Sequence, residues 1–226
     1  MPAVLLHGFA GTARHWDRVL AFGLDAVTLT LSDADPMTPD GVSALAAAAA
    51  PGPLALAGYS MGGRLALHAA LAMPERVERL VLVSASAGIE DAHERERRRE
   101  ADDALAREIE HRDIDWFVER WRAVPLFAHD PAWVAEEVAR DERRGRAAAL
   151  AACLRAFGSG AMAPMWDRLS ELAMPVVVLA GERDQQYVAA AQRLVEAIAT
   201  AELRVVPGAG HRLALEAPEA VAAALG

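Results

Sequence analysis

The sequence contains a single cysteine among 226 residues. One cysteine cannot form a disulfide within the chain, and nothing in the sequence indicates an oxidising compartment. Cys153 lies in the alanine-rich segment 147–156, so we expect its side chain to fill space in the core. The alternative role, a catalytic thiol, is disfavoured because Ser60 has the stronger sequence context for catalysis.

Positive charge and long apolar runs are scarce as well. The formal net charge is -9, whereas a protein that binds the phosphates of nucleic acid needs a basic surface. No apolar run approaches the roughly 20 residues that span a bilayer, and the first residues lack the basic region of a signal peptide. We therefore expect no nucleic-acid partner, no membrane insertion and a cytoplasmic location.

The motifs of bound metals and nucleotides are also missing. No His, Cys or carboxylate residues stand at a recognised metal-ligand spacing. No phosphate loop or dinucleotide fingerprint occurs either. The expected chemistry therefore uses side chains alone, without a metal or a cofactor.

The sequence does have ample material for a core, being 54% hydrophobic and 24% charged. Short apolar runs alternate with longer helical patterns. Each run is almost continuously apolar, which is typical of a strand buried on both faces of a parallel sheet. The alternation predicts a mostly parallel, doubly wound α/β sheet. The predicted strands are 4–6, 26–31, 54–57, 80–83, 176–180 and 203–206, and the clearest helices are 38–50, 61–73, 186–199 and 219–225.

One stretch, from about residue 88 to residue 163, has no good strand candidate. It is charged, helical in pattern and interspersed with aromatic residues. We interpret it as a helical cap (lid) inserted over the ends of the strands. The predicted organisation is therefore a core of residues 1–87 and 164–226, with residues 88–163 forming the cap.

The segment Gly58-Tyr59-Ser60-Met61-Gly62 carries the strongest catalytic pattern. It follows a predicted buried strand and opens a predicted helix, so Ser60 would stand on a very tight turn. Such a turn requires small neighbours, which the two glycines supply, and it directs backbone N–H groups toward the reacting atoms. Ser60 is therefore the candidate nucleophile or base.

A serine in this position needs a histidine and an acid. Among the seven histidines, His211 is the best base because it lies on a glycine-rich loop directly after the last predicted strand. Asp184 follows the fifth strand and is the preferred acid, with Glu182 as its rival. The order Ser60, Asp184, His211 is that of the α/β-hydrolase fold. In this fold, backbone N–H groups of Phe9 and Met61 would form the oxyanion hole.

Six segments together resemble one family of that fold, the 2-succinyl-6-hydroxy-2,4-cyclohexadiene-1-carboxylate synthases of menaquinone biosynthesis. The resemblance covers nearly the whole chain. The segment with Arg64 after the nucleophile turn and the Gly-Ser-Gly and Trp-Asp-Arg-Leu segments are the more discriminating ones. The six segments are 5–11, 58–64, 158–160, 165–169, 180–184 and 207–211.

The resemblance implies a lyase rather than a hydrolase. In this family the triad removes a proton from 2-succinyl-5-enolpyruvyl-6-hydroxy-3-cyclohexene-1-carboxylate, and pyruvate is eliminated without a cofactor. Such a proton abstraction builds negative charge on oxygen, which preorganised donors stabilise. Ser60 would then act as a base relayed through His211.

Because this substrate is a small polycarboxylate, the resemblance also implies arginines in its pocket. Arg64 and Arg98 match two of the family's arginines, although Arg98 lies in a run that also suits a solvated helix with Glu–Arg pairs. A third arginine comes later in the cap, where Arg143 is our choice and Arg140 remains open. Tyr59 and Trp121 match pocket positions of the family.

Two departures bear on the substrate. The family usually has a Pro-Gly-His-Gly turn after the second strand, where this chain reads Ser-Asp-Ala-Asp-Pro at residues 32–36. The leading hairpin of the family is also missing or trimmed. A carboxylesterase or carbon–carbon bond hydrolase with the same triad is therefore the alternative function, and a non-catalytic binding protein is a second one. The arginines argue against the first, and the intact triad argues against the second.

Overall fold

Six parallel strands form one sheet in the computed structural model, which describes all 226 residues. The strands lie in the order β2-β1-β3-β4-β5-β6, and every neighbouring pair is parallel. Their bounds are β1 Ala3–Leu6, β2 Ala26–Leu29, β3 Leu54–Tyr59, β4 Val77–Val83, β5 Val176–Gly181 and β6 Ala201–Val206.

Ten α-helices surround the sheet or lie between its strands. Their bounds are α1 Asp17–Leu20, α2 Pro39–Ala49, α3 Met61–Ala72, α4 Ala92–His111, α5 Ile114–Arg122, α6 Ala132–Glu142, α7 Ala147–Phe157, α8 Gln185–Ala197, α9 Leu213–Glu216 and α10 Pro218–Leu225. Short 3-10 helices cover Ala13–Trp16, Leu31–Asp33, Pro125–Phe127 and Trp166–Glu171. No helix is both long enough and apolar enough to cross a membrane.

The two faces of the sheet bury alternate residues of each central strand. On β3, Leu54 and Leu56 join the larger core cluster, whereas Ala55 and Ala57 join the smaller one. The larger cluster lies under α2, α3 and α8, and the smaller one under α1, α9 and α10. Because helices cover both faces of the centre of the sheet, β1, β3 and β5 are buried at every position.

The predicted fold is confirmed, with element bounds that differ by a few residues at most. The strand predicted at 80–83 begins at Val77, and the one predicted at 203–206 begins at Ala201. These extensions contain the charged residues Glu78, Arg79 and Glu202, which interrupt the apolar pattern that the prediction relied on.

Helices α4 to α7 occupy the interval between β4 and β5. They share a small apolar cluster of their own, in which Ala106 and Ile109 of α4 join Leu150 and Leu154 of α7. Phe117 of α5 is fully buried in the same cluster. The interval is therefore helical, as expected, while the division of the chain at residues 88 and 163 stays a prediction. Cys153 is buried in the larger core cluster.

Truncating a central strand residue tests the importance of the double-sided core. Leu56→Ala leaves a cavity at a fully buried position, and we expect the free energy of unfolding to fall by about 2–5 kcal/mol. Val27→Ala, at a valine that is 42% exposed, should cost less than about 1 kcal/mol. Equal losses in chemical denaturation of the two variants would contradict the packing described above.

Candidate active site

Ser60 stands on a strained turn between β3 and α3. Its backbone has φ 53° and ψ −113°, a left-handed conformation that a non-glycine residue adopts at a cost. A Cβ on Gly58 would lie 2.1 Å from the carbonyl oxygen of Gly62, and one on Gly62 would lie 2.3 Å from that of Leu6. Both positions therefore require glycine, which is why this turn can hold a serine at the end of a central strand.

The structure brings Ser60, His211 and Asp184 into one hydrogen-bonded chain. His211 Nδ1 lies 2.6 Å from Asp184 Oδ2, and His211 Nε2 lies 3.1 Å from Ser60 Oγ. A carboxylate only accepts hydrogen bonds, so Nδ1 carries the proton and Nε2 of the neutral ring accepts from the serine hydroxyl. The imidazole is 1% exposed and Asp184 is 6% exposed. This geometry suits proton transfer between Ser60 and His211.

Backbone hydrogen bonds hold the loop that carries His211. The carbonyl oxygen of His211 accepts from Ser84 Oγ at 3.0 Å. Glu216 accepts from the N–H groups of Gly210 at 2.8 Å and Arg212 at 3.1 Å, one on each side of the histidine. Glu182, the rival acid, instead accepts from the N–H of Gly208 at 2.7 Å and so supports the loop rather than the imidazole.

A cavity of about 500 Å³ opens beside Ser60 and His211. Phe9 and Met61 line it next to the serine, and their role as oxyanion donors stays a prediction. Tyr59 and Trp121 also line it. The ring of Trp121 packs edge-on against Phe9 with centroids 5.0 Å apart, and both rings also pack against the apolar cluster of α4 to α7.

Two of the arginines expected in the pocket line this cavity. Arg64 is 3% exposed, its Nη2 donates to the carbonyl oxygen of Phe157 at 3.1 Å, and its buried Nε has no partner. Burial lowers the pKa of Arg64 from its ordinary value. Arg98 is paired through Nε with Asp102 at 2.8 Å, one turn along α4. Arg64 thus carries positive charge against the cavity without a carboxylate hydrogen bond.

Arg143 does not reach the cavity, so the choice of Arg143 for the substrate pocket was wrong. Its Nε pairs with Asp115 at 2.6 Å, across from α5, and the side chain is 40% exposed. The end of α6 faces the acidic start of α5, and this pairing turns Arg143 away. Arg140, the other candidate, lines a separate neighbouring cavity of about 240 Å³.

Several residues that line the catalytic cavity were not expected from the sequence. They are Arg120, Gln186, Tyr187 and Arg212, among others. Arg212 had a simple signal, since it directly follows His211. The others lie on helices, where the apolar pattern does not tell which polar side chain faces the cavity.

Two further histidines near the site have supporting roles. His7 Nδ1 donates to the carbonyl oxygen of Gly8 at 2.7 Å, and its Nε2 accepts from the N–H of Leu31 at 3.2 Å. His15 stacks on Tyr59 with ring centroids 4.5 Å apart. Burial lowers the pKa of His15 to about 3, so this ring stays neutral. His7 therefore orients backbone at the end of β1, and His15 packs against the Tyr59 ring.

Three comparisons with known proteins agree with this geometry. The profile of the Alpha/beta hydrolase family matches residues 3–224. A 2-succinyl-6-hydroxy-2,4-cyclohexadiene-1-carboxylate synthase from Serratia proteamaculans (strain 568) is 35% identical over 75% of this chain and 65% of its own length. The enzyme of the same name from Enterobacter sp. (strain 638) is 29% identical over 98% of this chain and 89% of its own.

The solved structure of MenH from S. aureus superposes with a TM-score of 0.92, with 26% identity. That alignment covers 99% of this chain and 91% of the other. The matched segments cover 61%, 15% and 65% of the lengths of the first three curated relatives.

Glu142 provides a pH test of the electrostatics beside the site. Its side chain is buried and neither carboxylate oxygen has a hydrogen-bond partner. Burial raises the pKa of Glu142 from 4.5 to about 7, opposed by the positive charge of Arg212. The folded state therefore binds this proton more tightly than the unfolded state does. The resulting contribution to the stability of the folded state is fully present below pH 4.5 and is lost as the pH rises through 7.

We expect Glu142→Gln to remove this pH dependence. The free energy of unfolding of the variant, taken relative to that of the native protein, should be about 2–3 kcal/mol higher above about pH 8 than it is at low pH. Denaturant titrations from acid to alkaline pH measure it. The exposed Glu136→Gln on the same helix serves as control, and a constant difference between Glu142→Gln and the native protein at every pH would contradict the prediction.

Proposed function

We propose, from the premise that this chain belongs to the alpha/beta hydrolase family, that it is a lyase of menaquinone biosynthesis. Its substrate would be 2-succinyl-5-enolpyruvyl-6-hydroxy-3-cyclohexene-1-carboxylate and its products pyruvate and 2-succinyl-6-hydroxy-2,4-cyclohexadiene-1-carboxylate. The observation that carries the proposal is the position of Arg64. A buried guanidinium without a carboxylate partner lines the same cavity as the Ser60–His211–Asp184 chain.

The names of substrate and product define the bonds that change. The ring gains a second double bond and loses its substituent at C5, so the proton must leave C2, the carbon that bears the succinyl group. Its electron pair forms the C2=C3 bond, the C3=C4 pair moves to C4=C5, and the C5–O bond breaks. The leaving enolpyruvate takes up a proton and becomes pyruvate. The reaction is balanced without water, an oxidant or a metal.

The catalytic chain would move the proton. His211 Nε2 accepts the proton of Ser60 Oγ as the serine oxygen removes the proton from C2. Asp184 stabilises the imidazolium that forms and keeps the ring oriented. Negative charge then develops on the ketone oxygen next to C2, where the N–H groups of Phe9 and Met61 would donate to it. His211 later returns its proton toward the leaving group.

Arginine side chains would bind the carboxylates of the substrate. The substrate has three carboxylates, which makes it strongly anionic. Arg64 has a partly unpaired guanidinium in the cavity wall, and a planar fork can bind a carboxylate through two hydrogen bonds. Arg98 shares its charge with Asp102 but also lines the cavity. Tyr59 and Trp121 would contact the ring through their apolar surfaces.

Comparing two reactions tests this proposal against its alternative. We expect incubation with the enolpyruvyl intermediate to release pyruvate, and incubation with a p-nitrophenyl ester to release little nitrophenol. Ser60→Ala and His211→Ala should each slow pyruvate release strongly, since both groups take part in the same proton transfer. Rapid ester cleavage without pyruvate release would instead establish a carboxylesterase.

Replacing Arg64 tests the role of the cavity charge. Arg64→Ala should reduce kcat/KM for the anionic substrate by about 10- to 1000-fold, the loss of one or two charge-assisted hydrogen bonds. Arg143→Ala, outside the cavity, should change it by less than about threefold. Circular dichroism and thermal melting establish that both variants are folded. A larger effect at Arg143 than at Arg64 would contradict the placement of substrate in this cavity.

A further inference from the structure

Arg212 directly follows His211 and points its charge into the cap. Its side chain is 6% exposed, and its Nε donates to Asp130 at 2.7 Å. Its Nη2 lies 3.9 Å from Glu142, and its guanidinium carbon lies 3.9 Å from the centre of the Phe127 ring. All three partners belong to the cap, between the end of α5 and the end of α6. Arg212, a residue of the core, therefore contacts three side chains of the cap.

Phe127 connects this cluster to the catalytic histidine. Its ring faces Arg212 on one side and lies 5.9 Å from the His211 ring, centre to centre. Phe127 also lines the catalytic cavity. The Phe127 ring therefore lies between the guanidinium of Arg212 and the imidazole, on the side of His211 that faces the cap.

The cost of this arrangement indicates that it does more than fill space. Transferring the charges of Arg212 and Asp130 from water into the interior is unfavourable, and apolar residues of the same size often give equal or greater stability. A buried ion pair does fix geometry, because neither charge can move away from the other without losing its nearest opposite charge. If the cap moved away from the core, both charges would lose this partner.

We propose that Arg212 is a positioning residue, which couples the seating of the cap to the orientation of His211 toward Ser60. With the cap seated, Asp130 fixes the guanidinium and the guanidinium fixes Phe127 against the imidazole. The backbone on both sides of His211 is held at the same time by Glu216. The inference rests on the proposed role of His211 as the base, but not on the identity of the substrate.

A double substitution separates positioning from stability. Arg212→Met with Asp130→Leu replaces the ion pair by apolar side chains and leaves neither charge unpaired. We expect the melting temperature to stay close to that of the native protein. We expect kcat for pyruvate release to fall about 10- to 100-fold, because small misplacements of a catalytic group have effects of this size. KM should change by less than about threefold.

The matched control removes a second ion pair between the cap and the core. Arg18 and Glu137 form a bidentate pair at 3.1 and 2.6 Å on the surface, away from His211. Arg18→Met with Glu137→Leu should leave kcat within about twofold of the native value. An equal loss of kcat in this control would mean that any weakening of the cap slows the enzyme, and would overturn the specific role of Arg212.

Proton NMR gives a readout that needs no substrate. The proton between His211 Nδ1 and Asp184 should give a resolved low-field resonance in the native protein, and we expect it to broaden or vanish in the Arg212→Met, Asp130→Leu variant. If the native protein releases no pyruvate, the proposed function fails while this measurement still tests the positioning role.

The decisive contrary result is a folded double variant with native kcat and an unchanged low-field resonance. A rise in KM alone would also overturn the inference, because it would show that Arg212 binds substrate directly. If the double variant does not fold, Arg212→Lys replaces it, since lysine keeps the charge but loses the planar group above Phe127. The lysine variant should show the same changes to a smaller degree, and native values for both readouts would overturn the proposal.

Discussion

The hydrogen bonds from Asp184 through His211 to Ser60 are the interaction on which the rest of the site depends. Their distances of 2.6 and 3.1 Å join three segments that are far apart in the chain. Each segment follows a strand of the parallel sheet, namely β3, β5 and β6. Since parallel strands end at the same edge of the sheet, the topology of the sheet brings the three side chains together independently of the cap. The strained turn at Ser60 is tolerated because a packed sheet and helix hold it.

The residues that line the cavity would supply the selectivity that this hydrogen-bonded chain lacks. Serine, histidine and aspartate can serve several reactions on one fold, so the reaction depends on what the cavity binds and excludes. Arg64 places a positive charge in the cavity wall, which favours an anionic ligand, and the aromatic residues Phe9 and Trp121 line the same cavity. In surroundings of lower dielectric constant, the charge of Arg64 acts more strongly on a ligand than it would in water. Under the proposed function, this cavity would favour proton abstraction from a carboxylate-rich substrate over attack on a neutral ester.

Sequence reasoning predicted the strands, the catalytic chain and the turn glycines because each has a local signal. An apolar run ends, and a serine, aspartate or histidine follows it in a glycine-containing segment. The cap arginines have no comparable signal. Arg98 on α4 and Arg143 just after α6 both lie among charged residues, and only the structure shows that Arg98 lines the cavity while Arg143 pairs with Asp115. The pairing of Arg212 with Asp130 joins residues 82 positions apart and leaves no periodic trace in the sequence.

Isotopic substitution at the reacting carbon tests the central claim most directly, that Ser60 and His211 remove a proton from C2 and form no acyl-enzyme. The substrate would carry deuterium at C2, and its rate of pyruvate release would be compared with that of the unlabelled substrate. Mass spectrometry would record the mass of the protein during turnover. Slower release of pyruvate from the deuterated substrate, with the protein at its native mass, is the predicted result. Equal rates together with a covalent adduct on Ser60 would contradict it, and would show that the serine acts as a nucleophile.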